Sequence, residues 1–259
     1  MLISRSAFPV LLFLACAVLS GSPSFASPFE KALEATVRLT GNGISGTGFV
    51  VAEEKKTYLV TAGHVFTDLK GEKCALIYRK KNPKGNPVRS VAPLEIRKGE
   101  EPLWKKHEKF DLAVIEMNLP EDSVIVPFNF DRLATADEME KDLCGVGAEV
   151  CIPCYPIGTE ANPAGWPILR RGTIATHPLA PVTEAENFFI DSSSFGGESG
   201  APVVFWKGDE WHVIGVVTSM QRQTDRTVTP LEERVSHLPL GLGIAVQSAF
   251  LVDLISEEN

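Results

Sequence analysis

The chain has 259 residues, 44% of them hydrophobic, and carries a formal net charge of −8. That length and apolar content can bury a substantial core, which excludes wholesale disorder. The acidic balance excludes general nucleic-acid binding, because phosphate contacts need a surplus of Lys and Arg on one face.

Residues 1–26 read as a segment that is removed. Arg5 gives a positive start, Ala7 to Leu19 is almost wholly apolar, and Gly21-Ser22-Pro23 breaks any helix. Ser24-Phe25-Ala26 then presents small residues at the two positions a signal peptidase reads, so cleavage is expected after Ala26. The apolar run is too short for a membrane span, which needs about 20 residues. Phe13-Leu14-Ala15 is a poor lead-in for lipidation of Cys16. Export to a periplasm or the medium is expected, with no stable membrane insertion once the segment is gone.

From Ala32 onward, short β-rich runs alternate with turn residues. Six runs make a first half: 35–40, 46–52, 57–62, 73–79, 90–97 and 112–116. The basic cluster Arg79, Lys80, Lys81, Lys84 and Arg89 surrounds Asn82-Pro83 and Gly85-Asn86-Pro87, which predicts a solvated hairpin tip. Residues 118–145 read as a connector with a short helix near 135–143. A second six follows at 149–155, 169–176, 188–192, 202–205, 211–218 and 242–246, and 248–255 has apolar residues at helical spacing. The expected fold class is all-β: two packed six-stranded antiparallel barrels with a C-terminal helix, forming one domain over 27–255. Within it the first barrel covers about 33–117 and the second 146–247.

With the leader removed, Cys74, Cys144, Cys151 and Cys154 remain. The spacing of Cys151-Ile-Pro-Cys154 serves both redox pairs and zinc knuckles. A redox pair normally opens a helix, however, and this one lies in the strand-like run 150–157; zinc needs two further ligands. Buried small hydrophobes or one disulfide are the expected readings, with no metal and no cofactor.

The chemistry concentrates in Gly196-Gly197-Glu198-Ser199-Gly200-Ala201-Pro202, a serine in a glycine-rich bend before an apolar strand. Such a bend lets the N–H groups of Gly197 and Ser199 face one small cavity beside the hydroxyl, where they can bind an oxyanion. Upstream, His64 follows the strand-like Tyr58-Leu59-Val60-Thr61, and Asp111 heads the apolar run Leu112 to Ile115. A carboxylate there needs a partner, and an imidazole can donate one N–H to it while accepting a serine proton on its other nitrogen. The chain order His, Asp, Ser is that of the chymotrypsin group, not of subtilisins or α/β-hydrolases. The remaining histidines, His107, His177, His212 and His237, lack ligand spacing and read as structural.

Ser45-Gly-Thr-Gly-Phe-Val50, Leu59-Val-Thr-Ala-Gly-His64, Asp111-Leu-Ala-Val114 and Gly197-Glu-Ser-Gly-Ala-Pro202 resemble the signature segments of trypsin-like peptidases, especially the bacterial HtrA-type catalytic domain. Softer matches at 146–158, 171–174, 213–216 and 241–245 extend the resemblance over about 33–255. It implies a double β-barrel with a His64, Asp111, Ser199 triad between the halves, hydrolysing protein or peptide substrates through an acyl-enzyme. Three features depart from the family. Glu198 precedes the nucleophile where HtrA-type enzymes usually carry Asn, Ala201 replaces a common glycine, and neither a PDZ-like segment nor a zymogen-type activation site is read.

The resemblance also implies a substrate pocket at Ser193, Ser219, Met220, Gly243 and Ala245. None of these is acidic, so an apolar residue before the cut bond is expected. Two other functions compete: a protease-like binding protein whose oxyanion hole Glu198 leaves inactive, and a thiol redox or metal protein built on Cys151 and Cys154.

Overall fold

The computed structural model describes residues 28–208, 210–229 and 232–257; the expected leader lies outside them. The first lobe contains β1 (Thr36–Gly41), β2 (Ile44–Glu53), β3 (Lys56–Thr61), the short helix α2 (Gly63–Asp68), β4 (Lys73–Lys81) and β5 (Pro87–Glu95). Three two-residue strands follow, β6 (Arg97–Lys98), β7 (Glu101–Pro102) and β8 (Lys105–Lys106), then β9 (Ala113–Glu116) and β10 (Phe128–Asn129). The main sheet runs β5-β4-β1-β2-β3-β9-β8, with β10 laid parallel on β2. All six expected strands are present, and β8 and β10 add to them. Asn42-Gly43, both at positive φ, close the β1–β2 hairpin as a two-residue turn of this chemistry should.

Helix α3 (Ala136–Glu140) lies in the connector, where Thr135 and Glu138 form a reciprocal capping box. The second lobe closes into a six-stranded barrel, β11-β12-β13-β16-β15-β14, from β11 (Glu149–Cys154), β12 (Ile168–Ile174), β13 (Asn187–Asp191), β14 (Pro202–Lys207), β15 (Glu210–Val228) and β16 (Glu233–Gln247). The helix expected at 248–255 is α4 (Ala249–Ser256). The molecule is therefore all-β in class, with the chymotrypsin-like pair of lobes. No helix among the described residues is long and apolar enough to cross a membrane.

Each lobe has its own core, one around Leu39, Leu59 and Phe66, the other around Ile152, Phe188 and Ile214. A third cluster joins them, packing Phe49, Val60 and Phe128 of the first lobe against Val204, Trp211 and Val213 of the second. Two helices complete this joint: α4, through Leu251 and Leu254, and α1 (Pro28–Ala35), which supplies Ala32 and Ala35. Helix α1 precedes the first expected strand and is not foreseen from the sequence.

Arg79 corrects the reading of the basic cluster. The hairpin tip at 82–86 is where the sequence puts it, but Arg79 is fully buried. Its guanidinium donates to the carbonyls of Thr36 (2.6 Å), Leu33 (3.1 Å) and Glu34 (2.9 Å) and to the Tyr155 hydroxyl (3.0 Å). The first three oxygens lie at the C-terminal end of α1, where helical carbonyls lack partners and a cation is favoured. Arg79 also lies over the Trp166 ring at 4.7 Å, so one side chain ties α1, the first lobe and the loop after β11 together. Arg89 is likewise engaged, paired with Glu160 at 2.9 Å.

The four cysteines are free. Cys151 and Cys154 are three residues apart on β11, so their side chains fall on opposite faces. Cys151 packs in the interlobe cluster and Cys154 in the second core. Burial pushes the thiols of Cys74 up to about 11 and of Cys144 and Cys151 up to about 12. They behave as small hydrophobes, which removes the basis for a thiol redox or metal function at this pair.

Candidate active site

The register of β3 with β9 pairs Thr61 with Ala113, which brings the two strand ends that precede His64 and follow Asp111 side by side. Asp111 Oδ1 then accepts from the His64 backbone N–H at 2.8 Å, and Oδ2 lies 2.6 Å from His64 Nδ1. Two contacts to one residue fix both the position of the helix start and the plane of the imidazole. The Asp111 hydrogen bond raises the His64 pKa above 6.5, against the opposing effect of burial. Burial acts to raise Asp111, but its hydrogen bond with His64 and the charges of His64 and Lys106 hold it below the ordinary aspartate range.

Ser199 lies in the turn between β13 and β14. Its amide and that of Gly197 donate to no protein acceptor among the described residues, so both are free to meet a ligand oxygen. The serine hydroxyl donates to Thr218 O at 3.4 Å and makes no hydrogen bond with His64. His64, Asp111, Gly197 and Ser199 nevertheless line one cleft of about 660 Å³ that runs between the lobes. Unliganded sites of this kind often tighten only when substrate is present.

What holds the turn is distributed over three elements. Gly200 has φ +88, and a Cβ there would sit 2.0 Å from Thr47 O and 2.2 Å from Thr61 Oγ1, so only glycine fits. Thr47, fully buried on β2, reaches across from the first lobe: its N–H donates to Ser199 O at 2.9 Å and its hydroxyl to Gly197 O at 2.8 Å. The same hydroxyl accepts from Tyr155 N at 3.1 Å. Glu198 is the third anchor. Its carboxylate pairs with Arg170 of β12 on one oxygen and accepts from Ser194 Oγ at 2.9 Å on the other. The Arg170 guanidinium in turn faces the Phe195 ring at 5.3 Å.

Glu198, which the sequence marks as a departure, is thus held on both oxygens with its side chain only 5% exposed. Removing one partner of a buried ion pair leaves an uncompensated charge. Arg170→Met is therefore expected to loosen the turn and lower kcat by about 10²-fold, the scale of one lost oxyanion donor. KM should move little, and steady-state kinetics on a short peptide would read both; an unchanged kcat would remove Arg170 from this role.

The pocket residues fare unevenly. Ser219 and Met220 line the cleft, but Ser193, Gly243 and Ala245 do not. Ala245 is fully buried in the barrel core, and Gly243 stands behind Ser194. Counting six back from the nucleophile goes one residue too far along the chain to reach the cleft: Ser194 is buried and lines it, while Ser193 is exposed. Ser194, Phe195, Asp68 and Arg222 line the cleft without having been singled out. Thr47 stands inside a quoted motif, and its hydroxyl carries no signal of its role until the fold brings residue 197 to it. Among the described residues no group of three or more His, Cys, Asp or Glu side chains could hold a metal ion.

The trypsin-like peptidase domain family matches residues 46–216, more than half of the chain, and the chain belongs to that family. It is a peptidase, a hydrolase of the trypsin-like class. No curated protein sequence matches it. Among solved structures it is similar to Rv3671c from M. tuberculosis H37Rv, crystallised as a serine-to-alanine mutant in its inactive form. That similarity has TM-score 0.51 and 16% identity, and covers 90% of each chain. It is also similar to the HtrA-type protease AlgW with a tripeptide, at TM-score 0.52 and 18% identity, over 91% of this chain and 63% of the other. Identities this low establish a shared fold.

Proposed function

We propose that this protein is an exported serine endopeptidase that cuts peptide bonds through an acyl-enzyme. The observation that carries the reading is the His64–Asp111 pair facing the same cleft as a serine whose neighbouring amides are unengaged. In the first step, Ser199 Oγ attacks the scissile carbonyl and its proton passes to His64 Nε2, while Asp111 holds the Nδ1–H and stabilises the imidazolium. The carbonyl oxygen becomes an oxyanion between the amides of Gly197 and Ser199. His64 then gives its proton to the leaving amine, and water repeats the sequence to release the acid.

The cleft is lined by Gly43 and Asp68 of the first lobe as well as by Ser219, Met220 and Arg222 of β15, more surface than one side chain needs, which suits a polypeptide substrate. Export rests on the sequence of residues 1–26. A fluorophosphonate probe on residues 27–259 tests the reading, since labelling requires both an activated serine and a usable oxyanion pocket. Labelling of the parent chain and none of Ser199→Ala is expected. No labelling of either would favour the protease-like binding protein instead.

The acid limb gives an independent check. Because Asp111 raises the His64 pKa, the imidazolium persists above pH 6.5 and only the neutral ring can accept the serine proton. kcat/KM is expected to rise with pH through a midpoint above 6.5, and a profile flat from about pH 5 to 8 would exclude a histidine base. The stability linkage runs the other way. The folded state holds this proton more tightly than the unfolded chain, so the His64 contribution is lost as pH rises through the raised value, and on the acid side the pair is lost as Asp111, held below the ordinary aspartate range, takes up a proton.

A further inference from the structure

Residues 155–167 join β11 to β12 in the second lobe, yet three arginines of the first lobe hold them. Arg38 of β1 and Arg89 of β5 both reach Glu160, at 3.2 and 2.9 Å. Arg79 of β4 reaches Tyr155 and Trp166, and of the three it alone is fully buried.

The loop meets the nucleophile turn through its main chain. Ile157 N donates to Gly196 O at 2.6 Å, and a Cβ on Gly197 would stand 2.5 Å from Tyr155 O. The Gly196–Gly197 peptide is trans, and in a trans peptide the C=O and the N–H point opposite ways. A bond that fixes Gly196 O therefore also fixes where the Gly197 N–H points, which is away from Ile157 and toward no acceptor among the described residues. Ile157 makes this contact from φ +51, a left-handed conformation that a β-branched residue resists. Its side chain is 78% exposed, so side-chain packing does not keep it there.

The anchors lie in its neighbours. Gly158 follows at φ +72 with the Arg38 guanidinium against it, and Tyr155 precedes, fully buried. Burial pushes the Tyr155 phenol up to about 12, so it stays protonated, accepts from Arg79 at 3.0 Å and donates to Gly165 O at 3.1 Å. Arg79 is itself fixed by the carbonyls of Leu33, Glu34 and Thr36. We propose that Arg79 is a positioning residue for peptide hydrolysis: by joining the end of α1 to Tyr155, it holds Ile157 in the conformation that aims the Gly197 amide at the developing oxyanion. The inference rests on the peptidase reading. It makes an oxyanion donor of the second lobe depend on a helix that precedes the first. Because the donor matters most when the carbonyl oxygen carries charge, the dependence falls on kcat rather than on KM.

Arg79→Met keeps an aliphatic stem and removes the guanidinium. It is expected to lower kcat about 10²-fold, the scale of one lost oxyanion donor, with KM little changed. Tyr155→Phe removes only the hydroxyl and leaves Arg79 its three carbonyls, so a loss of about tenfold is expected, as for one charge-assisted hydrogen bond. A peptide boronate built on a sequence the parent chain cuts forms a tetrahedral adduct with an oxygen in the same pocket. Its affinity should fall in each variant by the factor lost in kcat. The acid limb should keep the parent's midpoint, because His64 and Asp111 stand outside this set of contacts. Adding Ile157→Gly to Arg79→Met should recover about tenfold in kcat, since glycine adopts φ +51 without an anchor.

Unchanged kcat and boronate affinity in folded Arg79→Met and Tyr155→Phe overturn the proposal and leave the peptidase reading standing. A loss of kcat with a displaced acid limb, or with no recovery in the double variant, assigns Arg79 to lobe docking alone and overturns it as well. If thermal melts show that Arg79→Met does not fold, Tyr155→Phe with and without Ile157→Gly carries the same comparison. A parent chain that cuts no peptide and binds no boronate overturns the peptidase reading, and this inference with it.

Discussion

Ser199→Ala is expected to reduce kcat by about 10⁶-fold on any peptide the parent chain cuts, and His64→Ala by a similar factor. The two act as one unit: without the hydroxyl there is no nucleophile, and without the imidazole nothing accepts its proton as the bond forms. The double variant should therefore be no slower than either single one. Alanine at 199 removes only a hydroxyl whose one intramolecular bond is the 3.4 Å contact to Thr218 O. The amides of 197 and 199 stay in place, so stability and peptide affinity should be preserved while turnover is lost. Stopped assays on the purified variants, with thermal melts as controls, read this directly; turnover within tenfold of the parent in Ser199→Ala would falsify the serine mechanism.

Both lobes contribute to the same few atoms. His64 and Asp111 come from the first, Ser199 from the second, and Thr47 is the point at which the first lobe holds the second's turn by two carbonyls. The site thus depends on how the lobes dock, which the interlobe cluster and the two terminal helices determine. Arg79 extends this dependence. It binds the end of α1 and Tyr155, and Tyr155 begins the turn in which Ile157 N donates to Gly196 O at 2.6 Å.

The His64–Asp111 pair, the glycine-rich serine turn and most of the strands are legible in the sequence because these are local signals. A histidine after an apolar strand, a carboxylate before one and a serine among glycines each sit at an element boundary that periodicity reveals. Arg79 is misread because it heads a basic run whose next members, Lys80 and Lys81, are solvated, and only long-range packing brings four oxygens to it. Helix α1 is short, and its apolar face declares itself only against Trp206 and the interlobe cluster. The outer part of β15, beyond the expected run 211–218, is missed because Gln221 to Thr227 is polar on both faces and has no alternation to find. The Arg170–Glu198 pair spans 28 residues, and neither partner signals the other.

Asp111→Asn should cost about 10⁴-fold in kcat while leaving the fold intact. The substitution keeps size and planarity, so it can preserve the Asp111 Oδ1 acceptor for His64 N and leave the main-chain bond from Gly63 N to Asp111 O untouched. What changes is the other contact, at 2.6 Å to Nδ1. A carboxylate oxygen only accepts, so it fixes the proton on Nδ1 and leaves Nε2 bare to act as base. An amide nitrogen at that place donates, which favours the tautomer with the proton on Nε2, and that ring cannot take a proton from Ser199. Removing the negative charge also removes the main influence that raises the His64 pKa. The variant's residual activity should accordingly show an acid limb shifted to lower pH than the parent's, and the His64 ring resonances should titrate at lower pH. This paired shift separates an electrostatic and tautomeric role from a structural one. A variant that lost 10⁴-fold in rate yet kept the parent's midpoint would mean that Asp111 acts only by holding the start of α2 in place.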